Sequence, residues 1–594
     1  MKTLRLMMLG LLTAGSLQAQ YFQHVYGGGS QDFLQTGVNV SVGPMGYLSA
    51  GYTDQLLPGG QYSVMVLRTD VNGNVGAVPT FTNGYQLADV TGAVVSAKGR
   101  KMVQHPSGRI LVFGDYGPQP GGPSNGFFYM MVAPNGGAGI VTGYTLPFPV
   151  QNVRATSIAL SPTNTNNVYV CGYVTDGSGN DLPIVMSLQF GTGAINWACV
   201  YNQTVTTFSQ WHANDLVESP YPSSAGTIDV AIVGSYNTSS ALTADGCFFT
   251  VNANTGAPTS PGGLELYGNA GSDDGLNSIC IANNTVGSGA GFAVAGYTFD
   301  AFTAPASYET WAMKISANGA VVDWTSELMH SGLVADNFGY DIIERYNSFF
   351  QYEYYVGATV IAGGGMGADD ALVYKVDANG NPAPGNNQFE YGGPGNENAF
   401  ELDQYNGTPN DGLTIYGNTR GSFAAIGAND FYLVRAYFNG VTTCNSNLQP
   451  TPYIPGPNLL PPVPIAIIAP LNPSPMFYNT IFRLKNATIC FAAAVGGGSN
   501  AKIAAGQNGT TSVFPNPVDH NAAQLTVAFD QPAKAGEAQV ELWNMLGQLC
   551  TKQQSAVAEG QQELKLDFGT LKPGVYHLVV RRDGAVTDMQ VTVQ

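Results

Sequence analysis

Residues 292–298 read FAVAGYT, and residues 311–320 read WAMKISANGA. The first is an apolar run that closes on Gly and an aromatic residue. The second is an apolar run that leads into Asn318 and Gly319. Asn-Gly supplies the positive φ that a tight hairpin turn demands, so this text predicts a β-hairpin at the least. It recurs. Residues 47–53 (YLSAGYT), 110–116 (ILVFGDY), 168–174 (VYVCGYV), 230–236 (VAIVGSY), 358–364 (ATVIAGG) and 413–419 (LTIYGNT) repeat the first run, each followed by a second apolar run and a turn. The turn glycines are Gly73, Gly136, Gly193, Gly256, Gly319, Gly380 and Gly440, separated by 63, 57, 63, 63, 61 and 60 residues. Chance does not space seven such turns so evenly.

A repeat of about sixty residues has room for four short strands. The sixth shows them as FGYDIIE, ATVIAGG, ALVYKVD and NQFEYGG. Four-stranded units repeated radially describe a β-propeller; a stacked solenoid would need shorter repeats and polar caps. The fold class expected is therefore all-β: a seven-bladed β-propeller of four-stranded blades over residues 20–444. Its closure is also legible. The fourth strand carries YGN or YGG in repeats four and six, and the same text, HVYGGG, occupies residues 24–29, ahead of the first repeat. The seventh repeat shows no YGG after Gly440. The N-terminal strand is expected to complete the last blade, which removes two open sheet edges at once. With these motifs, about 420 residues of the body resemble bacterial β-propeller repeat proteins. That resemblance implies a fold and says little about a ligand, because propellers host many functions.

Composition narrows the class. Only 10% of the 594 residues are charged, against about 25% in ordinary soluble domains. Asn, Ser, Thr and Gly wet the surface instead. The formal net charge is −18, which repels phosphate backbones, so no nucleic-acid partner is expected. Residues 1–19 read as a signal peptide. Lys2 and Arg5 precede a short apolar run, and cleavage falls between Ala19 and Gln20. The seven cysteines contain no CxxC, which excludes a zinc ribbon, and most read as buried small apolar residues.

Residues 449–476 hold ten prolines and cannot form a central strand or a helix. Residues 445–510 are read as a Pro-rich then Gly-rich linker, with the apolar stretch PVPIAIIAP (462–470) expected to dock on the body. Cys444 and Cys490 bracket this region and are the pair most readily bridged. Residues 496–509 read as a protease-accessible tether.

From residue 511 the composition shifts, with 9 acidic and 6 basic residues in the last 84. QLTVAFD, AQVELWN, QELKLDF, VYHLVVRR and DMQVTVQ alternate apolar and polar residues, as half-buried antiparallel strands do. They predict a small Ig-like sandwich over 511–594. The motifs VFPNPV (513–518), VELWNMLGQ (540–548) and LKPGVYHLVV (571–580) resemble the type A C-terminal sorting domain of type IX secretion substrates in Bacteroidota. The motif positions are Phe514, Pro515, Asn516, Pro517, Gly547, Leu571, Gly574 and Tyr576. The resemblance implies recognition by the outer-membrane translocon, removal of the tail by a sorting protease, and attachment of the body to lipopolysaccharide. It places the mature chain on the cell surface or in the medium, reached via the periplasm. The last strand, MQVTVQ, departs from the family in lacking a terminal basic residue.

No catalytic residue is assigned. The six histidines share no metal-ligand spacing, and HExxH does not occur. Gly122-Pro-Ser124-Asn-Gly126 matches GxSxG, but a strand rather than a helix follows it, which is wrong for a nucleophile elbow. The turns at Asp70 and Asp377 begin like calcium loops and lack the closing Glu. They are read as plain hairpin turns, with Ca2+ the one cofactor left open. Asp32, Asp273, Asp274, Asp336, Asn396 and Glu397 recur where repeats enter their first strand, as an acidic rim or as loop caps. The leading expectation is a binding or adhesion module with a glycan or protein ligand. The alternatives are a surface-polysaccharide hydrolase or lyase with two carboxylates in a central pocket, and a structural component of the cell surface.

Overall fold

The computed structural model describes residues 22–490 and 511–593 apart from short connecting segments, and the described residues are strands, turns and irregular chain without a helix. The chain divides into a body, Met1–Val495, and a tail, Gly496–Gln594.

The body is built from seven four-stranded antiparallel repeats. The first runs Asp32–Asn39, Gly46–Thr53, Ser63–Asp70 and Phe81–Ala88, and five more follow in the same order. The seventh has only three consecutive strands, Asn396–Tyr405, Gly412–Arg420 and Asp430–Tyr437. Its fourth is the N-terminal strand Phe22–Gly27, paired antiparallel to Asp430–Tyr437 from Phe22↔Arg435 to Tyr26↔Phe431. The middle strands are apolar without alternation, Gly126–Val132 being buried at every position. A strand with both faces covered reads this way. The apolar core accordingly lies between neighbouring repeats. Val66 and Tyr85 of the first join Val112 and Phe128 of the second. Phe22, Tyr26 and Tyr416 of the seventh join Leu34, Tyr47 and Met65 of the first.

The first, inner strands pack against one another in sequence. The last of them, Asn396–Tyr405, packs against Asp32–Asn39, so the seven inner strands form a closed ring.

The turn glycines explain the YGG text. All seven have positive φ, from 67° at Gly193 to 80° at Gly136 and Gly380. Each turn presents its glycine carbonyl to the fourth strand of the preceding repeat. There a tyrosine hydroxyl donates to it: Tyr85 to Gly136 (2.8 Å), Tyr144 to Gly193 (2.6 Å), Tyr201 to Gly256 (2.9 Å), Tyr267 to Gly319 (2.7 Å) and Tyr391 to Gly440 (2.9 Å). In the fifth repeat Ser326 replaces the tyrosine and reaches Gly380 at 2.7 Å. Tyr26 closes the cycle on Gly73 at 2.6 Å. A buried carbonyl left without its donor costs about 1–3 kcal/mol, so each latch ties one repeat to the next.

The segment read as a linker departs from that reading. Residues 446–490 form seven short strands, and each adds a fifth strand to one repeat. Ser446–Gln449 pairs with the sixth repeat, Tyr453–Pro455 with the fifth and Asn458–Val463 with the fourth. Ile465–Ala469 pairs with the third, Asn472–Pro475 with the second and Phe477–Phe482 with the first. Lys485–Cys490 pairs with the N-terminal strand in the seventh. The physical reason is positional. Proline is excluded from a central strand but tolerated at an edge, where no further strand needs its N–H. The docking expected of 462–470 takes the form of this pairing. Of the expected Cys444–Cys490 bridge, Cys444 lies outside the described residues, as do Ala19, Gln20 and the 496–509 tether.

The tail has two antiparallel sheets, one of three strands (Thr511–Phe514, Gln524–Phe529, Glu563–Asp567) and one of four (Leu549–Val557, Gly536–Asn544, Gly574–Arg582, Ala585–Val593). Val540, Leu542, Leu578 and Val580 are buried. Tyr576 of the sorting motif is also buried, Phe514 pairs with Thr526, and Gly574 pairs with Val593. Pro515, Asn516, Pro517, Gly547 and Leu571 lie outside the described residues.

Candidate functional site

Every inner strand carries an irregularity at the same register. One residue is skipped in the pairing with the second strand: Gln35, Arg100, Thr156, Asn214, Asn277, Tyr340 and Phe400. Such a β-bulge bends a strand and re-aims its side chains, and it is common at rims and sites. The residues after the bulges are Thr36, Lys101, Ser157, Asp215, Ser278, Asp341 and Glu401. These make a polar ring, which sequence reading missed because a bulge leaves no mark in the hydrophobic period.

The ring is stitched from repeat to repeat. Ser157 Oγ donates to Asp215 at 2.5 Å, and Ser278 Oγ to Asp341 at 2.6 Å. Asp215 accepts the Ile279 N–H (3.0 Å), and Asp341 accepts the Leu402 N–H (2.7 Å). Glu401 accepts the Thr36 hydroxyl at 2.6 Å and the Gly37 N–H at 3.2 Å. The Lys101 ammonium reaches past the first repeat to Glu401, 2.8 Å away. Burial pushes the Glu401 and Asp341 pKa values up, against the pull of Lys101, and Asp341 reaches about 7. Burial lowers the pKa of Lys101, but the charges of Glu401, Asp215 and Asp341 outweigh it and raise the value.

An unfolded Asp titrates near 3.9. Between that value and about 7 the folded chain therefore holds a proton on Asp341 that the unfolded chain has released. The stability tied to this group falls as pH rises through that window. Replacing Lys101 with Met removes the one cation of the ring. The variant is expected to lose about 3 kcal/mol at pH 8, as for a broken buried pair, and less at pH 5, where Asp341 carries a proton. Thermal melts at the two pH values measure this, and an equal loss at both would show that Lys101 acts by packing alone.

Two residues before each bulge, the inner strands carry Phe33, Lys98, Arg154, His212, Gly275, Phe338 and Asn398. At this end, aromatic residues gather. Phe33 stacks on Tyr52 (4.9 Å), Tyr173 on His212 (4.0 Å), and Phe338 meets Tyr308 (4.9 Å) and Tyr297 (5.5 Å). Between the second and third repeats lies a cavity of about 420 Å3 lined by Lys98, Arg100, Asp115, Ser124, Asn152 and Arg154, among others. Arg100 pairs with Asp115 (Nε to Oδ2, 2.7 Å) and donates to Gln35 at 3.1 Å. Burial opposes ionisation of Asp115, but Arg100 and the Ser124 hydroxyl outweigh it and lower its pKa.

The GxSxG serine is thereby accounted for. Ser124 Oγ donates to Asp115 at 2.7 Å, and its N–H donates to Asn152 at 3.0 Å. It has no histidine partner and precedes a strand, so it acts as a brace. The expected acidic rim is likewise absorbed into the fold. Asp274 accepts from Thr298 (2.5 Å), Glu397 from Thr419 (2.6 Å), Asp273 from Tyr308 (2.9 Å) and Asp336 from the Tyr308 N–H (2.9 Å). Asn396 donates to Asp369 (2.9 Å), and Asp32 is buried. In the turns that begin like calcium loops, Asp70 and Asp377 accept backbone N–H groups of their own turns. Among the described residues no cluster of three or more His, Cys, Asp or Glu is arranged to hold a metal. Cys171, Cys199 and Cys247 are buried free thiols.

No curated protein matches the chain. Among solved structures it is similar to a tetra-tandem repeat in the extending region of a large adhesion protein, at 10% identity over 94% of this chain and 98% of that one, with a TM-score of 0.12. It is also similar to the BSP domain of a biofilm associated protein, at 10% identity over 74% and 96%, with a TM-score of 0.12. Scores this low support no argument about fold or function. Residues 512–594 match the family of secretion system C-terminal sorting domains, and with this tail the chain carries the signal for type IX export to the cell surface or beyond.

Proposed function

We propose that the body is a seven-bladed β-propeller and that it serves as a non-enzymatic binding module, delivered outside the cell by its sorting tail. The closed ring of inner strands and the cycle of seven hydroxyl-to-glycine latches support the propeller. The tail is read as an Ig-like sandwich, cut from the body by the sorting protease after the translocon has recognised it, with lipopolysaccharide as the anchor. The body then extends to residue 490 rather than 444.

One observation carries the binding reading. The ring carboxylates are used up in joints between repeats, whereas Phe33, Lys98, His212 and Phe338 at the bulge end are only half-buried and Arg154 is exposed. A glycan array and a cell-adhesion assay with the full chain test it, and silence in both would overturn it. The hydrolase reading needs an acid and a base facing substrate. Asp215, Asp341 and Glu401 stand in the ring, but each holds neighbouring backbone N–H groups, which weighs against that role. Release of reducing ends from surface polysaccharides would restore it.

A further inference from the structure

The chain has 40 acidic and 22 basic residues, yet Lys98, Arg100 and Arg154 line one cavity of about 420 Å3 with Asp115 as their only lining carboxylate. Asp115 is committed to Arg100 and Ser124. Among the described residues, neither Lys98 nor Arg154 forms an ion pair, and the Arg154 guanidinium makes no hydrogen bond. The site therefore holds an excess of positive charge inside a strongly acidic protein. Desolvation lowers the pKa of both Lys98 and Arg154, and Arg100 lowers them further. An anion in the cavity would relieve that repulsion.

Among the described residues the lining itself holds no aromatic side chain, but tyrosine rings stand beside its cations. The Lys98 ammonium lies 5.1 Å from the Tyr62 ring centre and 5.9 Å from that of Tyr52. Tyr173 stands opposite Arg154 in the strand register. Asn152, Gln151 and Thr175 add neutral hydrogen-bonding groups. The volume lies within the roughly 300–1,000 Å3 of small-molecule sites. Amide and hydroxyl groups and unneutralised cations in the lining, with tyrosine rings next to those cations, suit a polyhydroxylated ring that carries an acid group.

We propose that this cavity is a subsite for an acidic sugar, carboxylated or sulfated, with Lys98 and Arg154 meeting the acid group and Arg100 fixed by Asp115 as the floor. This rests on the binding reading above and names its ligand class.

The test is titration calorimetry of the full chain with three oligosaccharides of matched length: an oligouronate, a sulfated one and a neutral one. At least one acidic sugar is expected to bind about tenfold or more tightly than the neutral one, the scale of one charge-assisted hydrogen bond. Arg154→Gln and Lys98→Gln should each remove about that factor for the acidic sugar only. Lys98 is half-buried and Arg154 exposed, and among the described residues neither holds an ion pair, so melting temperatures should stay close to the wild-type value, which separates lost recognition from lost folding. Inorganic sulfate alone serves as the control for a bare anion. Neutral and acidic sugars bound equally, with no effect of either variant, would overturn the acidic-sugar assignment and leave the binding reading standing. Sulfate bound as tightly as the sulfated sugar would overturn the sugar part. No binding of any sugar would overturn both.

Discussion

Deletion of residues 22–27 is expected to abolish cooperative folding of the body, an effect far beyond six residues of chain. Phe22, Val25 and Tyr26 are buried to within 1% of completely. At about 1.5–3 kcal/mol each, they contribute roughly 5–9 kcal/mol of apolar burial, comparable to the whole stability of a typical domain, about 5–15 kcal/mol. The strand is also paired on both sides, to Asp430–Tyr437 and to Lys485–Cys490. Without it two ladders lose their partner, and Gly73 loses the Tyr26 hydroxyl. Two unpaired edges then face solvent, which is the condition for aggregation. Circular dichroism melts and size-exclusion chromatography of the deleted chain measure the outcome. A soluble monomer melting at the wild-type temperature would show that the ring closes by other means.

Deletion of residues 512–594 is expected to have the opposite signature: a folded body that does not leave the cell. The body and tail are separate compact units, and domains with their own cores fold alone. The matched sorting family occupies the tail alone. Fractionation should find the truncated chain inside the cell envelope with an unchanged melting temperature. Wild-type amounts in the medium or on the surface would remove the sorting role.

The repeats were legible because a hairpin turn has a chemical requirement that text records. All seven glycines picked out by spacing have the positive φ that the turn needs. The closing strand was legible because HVYGGG repeats the tyrosine whose hydroxyl caps the next turn. The equivalent Tyr85, Tyr144 and Tyr201 were not legible as a set, because the glycines that follow Tyr267 and Tyr391 are missing after them. The strap of residues 446–490 was hidden for another reason. Edge strands obey neither the alternation of a half-buried strand nor the ban on proline, so their text resembles a linker. The candidate site was hardest to see. Lys98 and Arg100 stand close together in the run KGRK, but Arg154 is remote in sequence and only the fold brings it beside them, and the bulges that aim the ring residues leave no compositional trace.

The strap has a mechanical consequence. The repeats proceed around the ring from first to seventh, whereas the strap visits the sixth, fifth, fourth, third, second and first before ending on the seventh. It is a drawstring laid against the winding of the ring, and the chain leaves it from beside its own N-terminal strand. Tension applied beyond residue 490 therefore reaches one short strand at a time, each of three to six residues. It must strip the seventh repeat and then the first before it can load the second. A body held at that end can lengthen in small sacrificial steps under a passing shear while the four-stranded repeats, their tyrosine latches and the cavity between the second and third stay intact.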